Sequence, residues 1–144
     1  MDKQKRTGDT IKIPGDYQYK ALTTGNPVQR FWHESKQRII TQLLPPQPND
    51  FILDVGCGSG VITNYLGKSG AKVLGIDGNK DAINFARDTF KAPNLEYRQG
   101  LVDDLFECDD PPDKIYCMEV IEHIHFEQGE EMLTNFRKLL KPGG

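Results

Sequence analysis

Leu53-Asp54-Val55-Gly56-Cys57-Gly58-Ser59-Gly60 is the stretch that decides the fold. It opens inside a short apolar run, Phe51 to Val55, passes through glycines at alternate positions, and leads into Val61 to Leu66. An apolar run of strand length, then glycines, then a helical pattern reads as a buried parallel strand, a turn and a helix. Closely spaced glycines let the backbone turn sharply and approach a ligand at distances a side chain would forbid. A nucleotide-like ligand is expected at this turn, against the plainer reading of a glycine-rich connector. A pyrophosphate-binding fingerprint requires G-x-G-x-x-G, but Val61 stands at the third glycine position and Gly60 falls one residue early. Asp54 also sets a carboxylate beside the turn, where it would repel a pyrophosphate and attract an ammonium.

Working outward, Asn26-Pro27 supplies a helix N-cap and a first-turn proline. Val28, Phe31, Trp32, Ile39, Ile40 and Leu43 follow on one helical face, until Pro45, Pro46 and Pro48 end the helix. Residues 1–25 are polar and rich in turn formers, which predicts a loosely held arm anchored by Tyr17 and Tyr19. Beyond the glycine turn, Lys72 to Ile76 reads as a second strand, and Asn79 caps a helix with Ala82, Ile83, Ala86 and Phe90 on one side. Leu95 to Tyr97 with its flanks is a third strand and Ile115 to Met118 a fourth. A last helix presents Met132, Leu133, Phe136, Leu139 and Leu140, and stops at Pro142-Gly143-Gly144. Strands alternating with helices at this spacing predict an α/β fold: an open, doubly wound, Rossmann-like parallel sheet of about four strands, its ligand beyond the strands' carboxyl ends.

The chain has 144 residues, 37% of them hydrophobic and 27% charged, a composition that suits one soluble globular domain. A net charge of -3 gives no broad positive field for a polyanion, so nucleic acid is disfavoured as a partner and a small molecule favoured. Neither a signal-peptide core nor a membrane-spanning apolar run is present, which predicts a cytoplasmic protein. Cys57, Cys108 and Cys117 lack metal-type spacing and read as reduced thiols.

The stretch from Leu53 to Gly60 resembles motif I of the class I S-adenosylmethionine-dependent methyltransferases, whose cofactor carries an ammonium and no phosphate. Gly75-Ile76-Asp77 is similar to that family's second-strand end. The resemblance implies that Asp77, nineteen positions after Gly58, accepts hydrogen bonds from both ribose hydroxyls. Leu140 to Gly144 resembles the family's motif before its fifth strand, so the resemblance runs from about Asn26 to the end. It implies cofactor contacts at Asp54, Gly56, Cys57, Gly58, Gly60, Asp77, Gly78 and Met118, with Leu101 and Val102 packing on the adenine. Many relatives carry an aspartate where this chain has Leu101, and Asp103 or backbone groups would have to replace that contact. Arg30 resembles an arginine that holds the cofactor carboxylate in ubiquinone-biosynthesis O-methyltransferases; its alternative is an exposed helical arginine.

Cys117-Met118-Glu119-Val120-Ile121-Glu122-His123 resembles a stretch of those same O-methyltransferases, and its Glu-x-x-Glu-His core is similar to small-RNA 2'-O-methyltransferases. The resemblance implies that Glu119, Glu122 and His123 hold Mg²⁺ or another divalent cation, which would orient an acceptor hydroxyl and lower its pKa. The alternative is that Glu122 and His123 begin a helix and face solvent. Without a metal, His123 is the candidate general base, imidazole being the side chain suited to that task near neutral pH.

The family's sheet usually has seven strands, so the resemblance implies a chain truncated at its C-terminus, with strand four as an open edge that a second copy or a partner would cover. Residues 26–144 are then the S-adenosylmethionine-binding domain of a methyltransferase acting on a small-molecule acceptor, through oxygen. A noncatalytic cofactor-binding subunit stays open as an alternative; an RNA 2'-O-methyltransferase and a nucleotide-dependent oxidoreductase are disfavoured by charge and by glycine spacing respectively.

Overall fold

The computed structural model of this chain describes residues 13–101 and 110–144. Its elements are α1 (Tyr17–Thr23), α2 (Pro27–Leu43), β1 (Phe51–Val55), α3 (Val61–Gly67), β2 (Lys72–Asp77), α4 (Lys80–Thr89), β3 (Leu95–Gln99), β4 (Lys114–Cys117) and α5 (Phe126–Leu139). The strands form one parallel sheet in the order β3-β2-β1-β4, with Leu53 opposite Leu74 on one side and Ile115 on the other. From β1 the chain steps outward to β2 and β3, then crosses back over the sheet to place β4 on the other side of β1, so the strand order reverses between β1 and β4. A crevice opens there at the carboxyl ends of the strands.

Alternation along β1 and β2 divides the core into two layers. Leu53, Val55, Leu74 and Ile76 face α5, where they bury Met132, Phe136 and Leu139. Ile52 and Val73 point the other way, packing with Leu66 of α3, Ile40 of α2 and Tyr116 of β4. The α4 helix rests on β3 through Ile83, Ala86 and Tyr97. These are strands covered on both faces, as their near-continuous apolar sequence requires.

Three features differ from the sequence expectations. Residues 17–23 of the expected arm form α1, whose Ala21 is buried and whose Tyr19 ring packs on Phe85 and Phe90. Tyr19 is therefore an anchor, whereas Tyr17 is half exposed. On α2 the buried stripe is His33, Lys36 and Ile40, while Val28, Phe31, Trp32, Ile39 and Leu43 are exposed. Its amino-terminal half lies over the polar crevice rather than over the apolar sheet, so polar residues turn inward there. Leu133 of α5 is also exposed, because the face buried on the sheet runs through Met132, Phe136 and Leu139. The Asn26 cap is formed as expected: its side chain accepts the Gln29 N–H at 2.9 Å, and Gln29 reaches back to the Asn26 N–H at 3.1 Å.

No helix among the described residues is long and apolar enough to cross a membrane. Val102, Asp103 and Cys108 lie outside the described residues.

Candidate functional site

The glycine turn is pinned to the neighbouring strand. Backbone N–H groups of Gly56 and Cys57 both donate to the Ile76 carbonyl, at 2.8 and 3.1 Å, because β1 and β2 pair in register up to Val55 and Ile76. Gly56, Gly58 and Gly60 adopt φ of 72°, 52° and 81°, a region where side chains are strained. Space is restricted as well. A Cβ on Gly56 would stand 2.2 Å from Val120, and one on Gly60 would stand 2.8 Å from Ala86 and 2.9 Å from the Tyr97 ring.

Asp77, at the end of β2, links the turn to α4. One carboxylate oxygen accepts the Gly58 N–H at 2.8 Å, and the other accepts the Asn79 N–H at 2.8 Å. Asn79 in turn caps α4 by accepting from Asp81 and Ala82. The carboxylate is fixed in position by the backbone on both sides, and each oxygen keeps a further lone pair for a hydroxyl donor.

Asp54 is 2% exposed. Thr63 of α3 donates to it at 2.7 Å. Burial pushes the Asp54 carboxyl up to about 7; the Thr63 bond opposes this shift and nearby Asp77 adds to it. Asp54 lines a small enclosed cavity with Gly56, Met118 and three residues from the N-terminal helices, Gln18, His33 and Lys36. Burial and the Lys36 charge hold the His33 imidazole below its ordinary value, against the pull of Glu119.

The segment after β4 departs from the sequence reading. Glu119 has φ of 60° and turns its carboxylate toward α2, where Lys36 meets one oxygen at 2.6 Å and the Trp32 indole N–H donates to the other at 2.8 Å. Burial would raise the Glu119 carboxyl, but the Lys36 and Trp32 hydrogen bonds outweigh it and leave the group below its ordinary value. Glu122 and His123 occupy a single 3-10 turn and are exposed. Among the described residues no group of three His, Cys, Asp or Glu side chains could hold a metal ion, so Glu119, Glu122 and His123 do not converge as a ligand set. Glu119 answers to two donors on α2, and that contact is what separates it from the other two.

Other expected positions divide. Gly78 is exposed next to Leu101, which is half buried. The Cys57 side chain packs beneath the turn with Ile83, Ala86 and Tyr97, where burial raises its thiol. Arg30 is exposed and does not line the cavity; His33 and Lys36, one to two turns along the same helix, do. Sequence reading missed His33, Lys36 and Thr63. The available signal was the 3- and 4-residue spacing of His33, Lys36 and Ile40, a helical stripe in which polar residues share a face with a core residue. It also missed α1. There Gln18 sits 2.6 Å from where a Cβ of Gly58 would be, and the Tyr19 N–H donates to Ser59 Oγ at 3.2 Å.

Residues 52–144 match the family model described as "Methyltransferase domain". Over 97 residues the chain is 37% identical to a "Ubiquinone biosynthesis O-methyltransferase" of Acinetobacter baylyi, covering 65% of this chain and 40% of that protein. A solved structure described as PKMT2 from Rickettsia typhi in complex with AdoHcy is 31% identical, with a TM-score of 0.61 over 69% of this chain and 21% of that one. The PH0226 protein from Pyrococcus horikoshii OT3 superposes with a TM-score of 0.72 over 87% of this chain and 59% of that one; at 24% identity the likeness is one of fold. The chain spans about 40% of the length of the curated relatives it matches.

Proposed function

This chain belongs to the class I S-adenosylmethionine-dependent methyltransferases, and from that premise we propose that it binds S-adenosylmethionine over the turn from Gly56 to Gly60 and serves methyl transfer to the hydroxyl oxygen of a small molecule. The observation that carries the reading is Asp77. Its carboxylate is fixed by the Gly58 and Asn79 N–H groups at the end of β2, beside the turn and within reach of a vicinal diol lying across it.

The residues present suit that cofactor. Asp77 accepts the ribose hydroxyls, Leu101 packs on the adenine, and ionised Asp54 faces the ammonium from the cavity wall. Gly56 and Gly58 keep the approach free of side chains of their own, and Gln18 lies over Gly58 as the residue that must share or yield that space. The cofactor supplies a methyl group on a sulfonium, already a good leaving group, so no protein nucleophile is needed. The protein's tasks are to align the acceptor, exclude water and accept a proton. His123, exposed on the 3-10 turn after β4, is one proton acceptor; His33, in the cavity wall with its imidazole held below its ordinary value, is a second. Oxygen is favoured as the acceptor atom by the likeness to the O-methyltransferases.

Calorimetric titration with S-adenosylmethionine, S-adenosylhomocysteine and NAD tests the cofactor. The first two should bind, and Asp77→Ala should weaken both by roughly 10- to 100-fold, the loss expected for hydrogen bonds to a charged acceptor. Binding of NAD alone would refute the reading. Labelled methyl transfer to a panel of phenols, alcohols and amines then tests oxygen: methylation of the amines alone would overturn that part.

A further inference from the structure

We propose that Lys36 is the built-in cation of this site: its ammonium, locked onto Glu119, stands in the place of a divalent metal ion at the segment after β4. The inference rests on the reading of this crevice as the transfer site for its significance, but the ion pair itself does not depend on which cofactor binds.

Trp32 and Lys36 are one helical turn apart on α2 and so reach the same point. Together they saturate the inward side of Glu119, at 2.8 and 2.6 Å, with the Lys36 side chain 9% exposed and its ammonium 5.9 Å from the centre of the Trp32 ring. A hard divalent ion such as Mg²⁺ needs carboxylate oxygens at ~2.0–2.1 Å in a near-octahedral set. To ligate one here, Glu119 would have to give up both donors, and its backbone, at φ of 60°, aims the side chain at α2 rather than toward Glu122 and His123. A second positive charge beside the Lys36 ammonium would also be repelled at close range. Lys36 performs the electrostatic part of a metal's task instead. It places a fixed positive charge in a partly buried cavity shared with Asp54, His33 and Met118, and it anchors Glu119, two residues before the turn that carries Glu122 and His123.

The proposal predicts an exchange of cations. Mn²⁺ binding, followed by the electron paramagnetic resonance signal of the free ion, should be weaker than about 1 mM for the wild-type chain. In Lys36→Met it should tighten by at least about tenfold, and in Lys36→Met combined with Glu119→Gln it should be lost again. Lys36→Arg, which keeps the charge, should behave as the wild type. Micromolar Mn²⁺ binding by the wild type that disappears in Glu119→Gln would overturn the proposal, without need of any variant at Lys36. A Lys36→Met protein that melts as the wild type does and takes up no more Mn²⁺ would overturn it equally. S-adenosylhomocysteine titration of the wild type, read separately, reports on the cofactor site, so failure of one reading is distinguishable from failure of the other.

Discussion

At the amino-terminal end of the sheet Lys114 meets Asp50 at 2.6 Å and Lys141 meets Asp113 at 2.9 Å, while Asp113 also accepts the Phe51 N–H at 2.7 Å. At the carboxyl end Asp54, His33 and Lys36 are turned inward around a cavity, and Asp77 is held by backbone N–H groups rather than by a cation. In the first region opposite charges pair with each other across the entry to β1 and β4, which fastens the sheet. In the second, Asp54 and His33 are buried without an opposite charge among the described residues bonded to either, and burial pushes the Asp54 carboxyl up and the His33 imidazole down. Lys36, paired with Glu119, is built as the amino-terminal pairs are, so the contrast falls on Asp54 and Asp77, carboxylates that no cation among the described residues neutralises.

The sharpest way to break that contrast uses two glycines with nearly the same backbone. Gly60, at φ 81°, lies at the carboxyl end against Ala86 and Tyr97; Gly143, at φ 87°, lies at the other end with nothing within 4 Å of a Cβ. Left-handed backbone costs an alanine roughly 1–2 kcal/mol at either place. Overpacking adds about 1–3 kcal/mol at Gly60 only. Urea denaturation should therefore find Gly60→Ala destabilised by about 2–5 kcal/mol and Gly143→Ala by about 1–2 kcal/mol. Equal losses would mean that the glycine turn after β1 is no more tightly packed than a surface turn.

How far the contrast was legible in the sequence depends on how local each contact is. Phe51 to Val55 and Lys72 to Ile76 are apolar apart from Asp54 and Lys72, so both inner strands could be read from the pattern, and the glycine spacing placed the turn between them. The inward face of α2 could not be read in this way. Phe31, Trp32 and Ile39 look like core, and what rotates them outward is a contact between Trp32 and Glu119, 87 residues apart, together with Lys36 on the same carboxylate. The sequence sets the Asp54 carboxylate beside the turn, but no local pattern announces that Thr63, in the helix that follows, donates to it. Residues 17–23 are polar and short, and α1 takes its order from Tyr19 packing on Phe85 and Phe90 rather than from its own propensity.

Asp54 gives the second test, with an effect set by pH. Its folded carboxyl titrates at about 7, above an ordinary value near ~3.9, chiefly through burial. Below that value the folded carboxyl keeps a proton that the unfolded chain has already lost, so its contribution to stability is fully present below the ordinary value and is lost as pH rises toward about 7. Asp54→Asn should remove that loss, leaving the ligand-free protein with a flatter melting temperature between pH 4 and 7. Holding an ammonium requires the ionised form, so wild-type affinity for S-adenosylhomocysteine should rise as pH passes through this range while Asp54→Asn stays weak and flat. An Asn variant with undiminished affinity would return Asp54 to the structural class.

The smallest effect belongs to the opposite end and runs in the opposite direction. The Asp113 carboxyl is held below its ordinary value, first by the Phe51 N–H and then by Lys141. A lowered acid contributes stability that is present above its unfolded value and lost only as pH falls through its folded one. Asp113→Asn keeps an acceptor for the Phe51 N–H and removes the charge. It should leave the melting temperature at neutral pH close to that of the wild type, since a solvent-facing ion pair contributes little, and it should flatten only the acid limb. Cofactor affinity should not move. If Asp113→Asn instead altered affinity as Asp54→Asn does, charge at the amino end would be coupled to the crevice through β1, and the two ends of the sheet would not be separate in function.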